Sequence, residues 1–99
     1  MKDFVVIDGV LREWEIDMRL KGAKALRCCA AAAAKMECEK EKWTVWTVIG
    51  AYAIVKNCSP SAVHSAITYV LRKAGVKISA PDAIVYLANM VCCLQEVKQ

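Results

Sequence analysis

The chain has 99 residues, of which 58% are hydrophobic and 24% are charged, and its formal net charge is +4. This length suits one domain, and the apolar content is far above that of disordered segments. Four glycines and two prolines are too few for the many turns of an all-β sandwich or barrel. We therefore expect one all-α domain over residues 1–99, a compact bundle of about five helices.

The sequence predicts neither a membrane span nor a signal peptide. The uncharged stretches Trp43–Val55 and Ala83–Gln95 have 13 residues each, well below the roughly 20 residues that cross a bilayer. The apolar run Phe4–Ile7 is followed at once by Asp8, so it is too short for a signal-peptide core. We expect a cytoplasmic protein with no membrane contact.

Six cysteines raise the question of zinc or disulfides. The chain contains no Cys-x-x-Cys motif and a single histidine, which excludes the common spacings of structural zinc sites. In the cytosol thiols stay reduced, and a buried cysteine behaves as a small apolar residue. We expect this packing role for Cys28, Cys29, Cys92 and Cys93. Cys58 is expected to be the most exposed thiol, as a turn residue or, less favoured, a redox sensor.

Two helices are predicted in the first part of the chain. Apolar residues recur at helical spacing at Phe4, Ile7, Leu11 and Trp14, which predicts a helix from Asp3 to about Trp14. Val5 and Val6 would also suit a strand. The alanine-rich run from about Gly22 to Glu41 predicts the second helix, with closely packed neighbours at its centre and solvated charges at its end.

Three further helices follow. Trp43–Val55 predicts a largely buried helix, with Trp46, Ile49 and Ala53 along one stripe. Ser59 is a natural N-cap for a helix over Pro60–Ala74, which Gly75 ends. Ser79 caps a last helix, whose apolar stripe is Ile84, Leu87, Val91 and Leu94. The tryptophans, at positions 14, 43 and 46, are expected in the core rather than as stacking platforms for single-stranded nucleic acid.

The segment from about 43 to 74 has the form of a helix-turn-helix, which inserts its second helix into the major groove of DNA. Ala53 is small where the two helices approach, and Asn57 tolerates the left-handed turn conformation. Lys56 stands where an apolar residue would normally point inward, so we expect its side chain to snorkel to solvent.

Three patches, Leu11–Arg27, Ala53–Ile67 and Ala80–Ala88, carry a resemblance to a known family. They resemble the C-terminal DNA-binding effector domain of the stage-zero sporulation response regulator (sporulation initiation factor A) of endospore-forming bacteria. The resemblance implies a helix-turn-helix transcription regulator. The segment between the recognition helix and the last helix is shortened here to Gly75–Ser79. We expect no receiver domain and hence no phosphorylation control through one.

The predicted recognition helix departs from this family, which presents arginines, a glutamate and a histidine to DNA. Arginine paired with guanine contributes about 1–3 kcal/mol of discrimination, and no arginine precedes Arg72 in this helix. We therefore predict altered or weakened base specificity. The predicted DNA-binding residues are Ser59 in the turn, Ser61, His64, Ser65, Thr68 and Tyr69 facing bases, and Arg72 and Lys73 holding phosphate.

The positive charge is modest and unevenly distributed. Residues 51–99 carry five basic against two acidic residues, and residues 1–50 carry nine against eight. Lys21, Lys24 and Arg27 form either a second basic cluster or an ordinary solvated helix face.

We expect a regulator of transcription or of a mobile element that binds double-stranded DNA, with a homodimer or tandem pair as its assembly. The alternative is a protein-interaction or dimerisation module that has kept the fold but no longer recognises DNA. This alternative predicts an exposed apolar patch around Tyr69, Ala62 and Tyr52. No enzymatic activity is expected, because no carboxylate lies within one turn of His64 to orient it. No cofactor, metal ion or small-molecule substrate is expected.

Overall fold

Every regular element in the described part of the chain is helical. The computed structural model describes residues 2–97, which form five α-helices and no β-strand. The helices are α1 (Lys2–Glu13), α2 (Lys21–Cys38), α3 (Val45–Lys56), α4 (Pro60–Lys73) and α5 (Ala80–Val97). The prediction of an all-α bundle of about five helices is confirmed. None of these helices is both long enough and apolar enough to cross a membrane.

Helix α2 lies at the centre of the bundle and packs against each of the other four helices, most extensively against α5 and α4. Its buried residues are mostly small: Gly22, Ala23, Ala25, Leu26, Cys29, Ala30, Ala33 and Ala34. Short side chains allow neighbouring helices to approach closely. The core around α2 contains fully buried residues from all the other helices, among them Ile7, Ile49, Ile67 and Leu87. The predicted close packing of the alanine-rich helix is confirmed.

A very close contact between helices lies at Gly22, in the first turn of α2. A Cβ atom at this position would overlap the carbonyl oxygen of Ala66 and lie 2.9 Å from Cγ1 of Val70. Both residues belong to α4, so α2 and α4 touch here backbone to backbone. No larger residue fits at position 22 without moving one of the two helices.

The first four helices end in the same way. A residue with positive φ follows each one: Glu15, Lys40, Asn57 and Gly75. The next backbone N–H then donates to a carbonyl five residues back, as in a Schellman motif. These bonds join Ile16 to Leu11 (3.0 Å), Glu41 to Met36 (2.9 Å), Cys58 to Ala53 (3.0 Å) and Val76 to Leu71 (2.9 Å).

The prediction that α3 is largely buried was wrong. Val48, Ile49 and Ala53 are buried, but Trp46, Ile54 and Val55 are 53%, 82% and 78% exposed. Trp46 and Ile54 lie about two turns apart on one side of the helix, which we call the α3 outer face, whereas Val55 is exposed on another side. The helix has neighbours on one side only, so its continuous apolar sequence could not show which side faces solvent. Leu94, expected in the α5 stripe, is also 42% exposed, whereas Trp14 and Trp43 pack partly buried against the core.

The contact at Gly22 predicts opposite effects for the same substitution at two glycines. Gly22→Ala should lower the free energy of unfolding by about 1–3 kcal/mol, because the added methyl group overpacks the α2–α4 contact. Gly9→Ala in α1 should raise it by about 0.5–1 kcal/mol, because a Cβ there meets nothing within 4 Å and alanine is the better helix former. Urea denaturation of both variants measures the difference. Equal stability of Gly22→Ala and the parent protein would contradict the close approach.

Candidate nucleic-acid interface

Helices α3 and α4 are joined by the three-residue turn Asn57–Ser59. Asn57 adopts the left-handed conformation, with φ 56° and ψ 49°. The Ser59 hydroxyl accepts a hydrogen bond from the Ala62 backbone N–H (3.1 Å) and so caps α4, whose first residue is Pro60. The structural roles predicted for Asn57, Ser59 and Pro60 are confirmed. Ser59 thus has a structural role in the turn besides its predicted contact with DNA.

One side of α4 is solvent-exposed along its whole length. Ser61, Ser65, Tyr69 and Arg72 recur at intervals of three and four residues, so they share this side, and all four are exposed. We call these four residues the α4 outer face. The opposite side is buried through Val63, Ile67, Val70 and Leu71. The fold therefore brings half of the predicted DNA-binding residues together on one open surface.

His64 and Thr68 lie at the edge of the α4 outer face and are half-buried. The His64 ring stacks on Trp46 of α3, with centroids 5.3 Å apart. The Thr68 hydroxyl donates to the His64 carbonyl oxygen (2.9 Å). Its oxygen can still accept a hydrogen bond, but its proton is engaged within the helix. These two residues are therefore less available to a ligand than the sequence suggested.

Two cations close the C-terminal end of α4. Arg72 and Lys73 are both exposed in its last turn. The Lys73 ammonium lies 6.0 Å from the centroid of the Tyr69 ring. Asp17 has its pKa lowered to about 2, chiefly by hydrogen bonds from Arg19 and to a smaller extent by the charge of Lys73. An acidic residue therefore lies near Lys73, whereas Arg72 belongs to the α4 outer face itself.

Arg27 does not belong to the second basic cluster considered from the sequence. Its guanidinium donates two hydrogen bonds to the Asp8 carboxylate, at 2.7 and 3.1 Å. It also lies over the Phe4 ring, 4.2 Å from the centroid. This ion pair joins α1 to α2 and raises the pKa of Arg27. The charge of Arg27 is thus largely compensated within the fold.

The residue that lies with Lys21 and Lys24 in one groove is Lys56 and not Arg27. These three lysines line an open groove of about 480 Å³ between the start of α2, the end of α3 and the start of α4. We call it the lysine groove. Its other lining residues are Ala25, Tyr52, Cys58, Ala62, Val63 and Ala66. The sequence signal for this site was Lys56 itself, a charge at an expected inward position, and its side chain is exposed as predicted.

The six cysteines differ widely in exposure. Cys29 is buried, Cys28 and Cys92 are intermediate, and Cys38, Cys58 and Cys93 are exposed. The Cys92 thiol donates to the carbonyl oxygen of Ala34 (3.4 Å). The packing role predicted for Cys29 is therefore confirmed, and that for Cys93 is wrong because it lies on the outer side of α5. Across the described residues, no three His, Cys, Asp or Glu side chains are arranged to hold a metal ion.

No family model, curated protein or solved structure matches this chain. The residues of α3, α4 and the lysine groove are therefore the basis for assigning a function.

Burial raises the pKa of the Cys29 thiol to about 12, from 9.0 for an exposed thiol. At pH 8 we expect alkylation of Cys58 in the folded protein but of Cys29 only after unfolding, measured by peptide mass spectrometry. As the pH rises from 9 towards 12, the unfolded chain loses the Cys29 proton and the folded chain keeps it. The free energy of unfolding should therefore fall more steeply over this range than in Cys29→Ala. Rapid native alkylation of Cys29 would contradict its placement.

Proposed function

We propose that this protein is a bacterial, cytoplasmic, helix-turn-helix DNA-binding regulator of transcription or of a mobile element. Helix α4 is its recognition helix and enters the major groove of double-stranded DNA. The observation that carries the proposal is the α4 outer face, which is exposed along the whole helix and follows a short, well-capped turn. The resemblance to the sporulation response-regulator effector domain supports the same assignment. The proposal involves no catalytic residue, cofactor or small-molecule substrate.

The chemistry of the α4 outer face accounts for the proposed altered or weakened base specificity. Ser61 and Ser65 present short hydroxyl groups, which bond to bases or phosphates without strong discrimination. Tyr69 adds an exposed ring, and Arg72 is the first side chain along α4 able to pair with guanine in a bidentate manner. Recognition then depends more on the phosphate backbone than in a helix with several arginines.

The proposal predicts salt-dependent DNA binding that depends on the end of α4. Fluorescence anisotropy of a labelled mixed-sequence duplex, from about 50 to 200 mM salt, should show the logarithm of the association constant falling linearly with the logarithm of salt concentration. Changing Arg72 and Lys73 to alanine should reduce the slope by about 0.9 for each lost phosphate contact.

Arg12→Ala with Lys35→Ala is the matched control, because it removes the same charge from exposed residues of α1 and α2. The control should keep the slope of the parent protein. If the folded protein does not bind DNA at low salt, the proposal is wrong. If both variants show the same decrease in slope, DNA binding does not depend on the end of α4.

Self-association is a second candidate function, and the α3 outer face favours it. Large apolar side chains exposed together are typical of interaction surfaces. The segment Trp43–Val55 carries no charge, so two copies can meet there without repulsion. Gly50 lies one turn from both Trp46 and Ile54, and the space around it is open. An antiparallel pair crossing at Gly50 would place Trp46 of each copy beside Ile54 of the other.

The location of this surface differs from the patch expected around Tyr69, Ala62 and Tyr52. Ala62 is exposed and Tyr69 is 57% exposed, but Tyr52 is half-buried. The largest apolar exposures, at Ile54 and Val55, lie on α3 instead.

This second candidate predicts a dimer without DNA. Sedimentation equilibrium should show dimers at protein concentrations below roughly 1 mM, where even weak specific contacts register. Ile54→Glu should weaken the dimer at least about tenfold, because a charge would be buried against an apolar surface. Val5→Glu is the control, since Val5 is 73% exposed on α1. A monomer throughout this range would exclude self-association through the α3 outer face.

A further inference from the structure

The lysine groove contains positively charged but no negatively charged lining residues. Its nine lining residues include Lys21, Lys24 and Lys56 and no carboxylate. By contrast, Arg27 is paired with Asp8 and Arg19 with Asp17. A second groove, of about 520 Å³, shares Lys24 with the lysine groove and also contains the acidic residues Asp8 and Glu15. The charges of Lys21 and Lys56 therefore face no carboxylate in the lysine groove, whereas Lys24 also borders the second, mixed groove.

The shape of the groove suits a linear anionic chain. Its α4 side consists of Ala62, Val63 and Ala66, whose short side chains leave room for an approaching backbone. Lysine ammonium groups are mobile point charges that bind phosphate without demanding one geometry. The Lys56 ammonium lies 5.8 Å from the centroid of the Tyr52 ring, so a cation–π contact holds it at the groove.

The groove is continuous with the α4 outer face. Ala62 lines the groove and is exposed, and it lies one turn from Ser65 along α4. With α4 in the major groove, a bordering DNA strand would pass the lysines at the N-terminal half of the helix. Arg72 lies three turns away at the opposite end. The two sets of cations thus flank the surface that would face bases.

We propose that the lysine groove holds the phosphodiester backbone of one DNA strand and so fixes the orientation of α4 in the major groove. This inference rests on the proposed function, since the ligand is the same duplex DNA. Phosphate contacts of this kind set position and affinity but carry no sequence information. Lys21, Lys24 and Lys56 are accordingly positioning residues for α4, distinct from the predicted base contacts.

The test compares two triple variants with the same loss of charge. One carries Lys21→Gln, Lys24→Gln and Lys56→Gln, and the other carries Lys35→Gln, Lys40→Gln and Lys42→Gln at exposed positions away from the groove. The salt slope of duplex binding should fall by about 0.9 for each groove lysine that contacts a phosphate and should remain unchanged in the second variant. The fall should be equal for duplexes of unrelated sequence.

The design separates failure of this inference from failure of the proposed function. If the parent protein binds DNA and both triple variants lose the same slope, the groove has no specific role and only this inference is overturned. If the folded parent protein does not bind DNA, both are overturned. A triple Lys→Arg variant at the groove should keep the slope, which excludes a merely structural effect, and far-UV circular dichroism checks that each variant is folded.

Discussion

The backbone contact between Gly22 and Ala66 determines where α4 lies in the bundle. Because position 22 has no side chain, the start of α2 touches the α4 backbone directly. The same contact places Lys21 and Lys24 beside the first turns of α4, where Lys56 joins them across the turn. The position of the candidate recognition helix and the charge beside it thus depend on one missing methyl group. Substitutions in the core of α2 would act on both at once.

The local features that the sequence predicted well are those set by a few neighbouring residues. The left-handed Asn57, the Ser59 cap and Pro60 at the start of α4 follow from backbone stereochemistry, which does not depend on the rest of the fold. The amphipathic pattern of α4 likewise predicted its buried side. These features account for the all-α architecture and for the residues that share the α4 outer face.

The features that the sequence did not predict depend on contacts between distant residues. In α3 the apolar residues surround the whole helix, so periodicity could not indicate that Trp46, Ile54 and Val55 face solvent. Arg27 was grouped with nearby lysines, but Asp8 from another helix compensates its charge. Lys56 joins Lys21 and Lys24 only through the packing of three helices. The lysine groove therefore could not be identified without the structure, whereas the candidate recognition helix could be predicted from the sequence.

The residues with positive φ that follow the helices affect how many substitutions the binding surfaces can tolerate. Three of these four residues, Glu15, Lys40 and Asn57, have a Cβ atom. Only Gly75 adopts the left-handed conformation without strain. Such a conformation costs about 1–2 kcal/mol for an ordinary residue, and less for asparagine. Glu15→Gly or Lys40→Gly would recover part of that free energy at positions outside α4. The fold therefore contains a margin that can compensate new, destabilising side chains on its recognition helix, so its ligand preference can evolve without loss of the bundle.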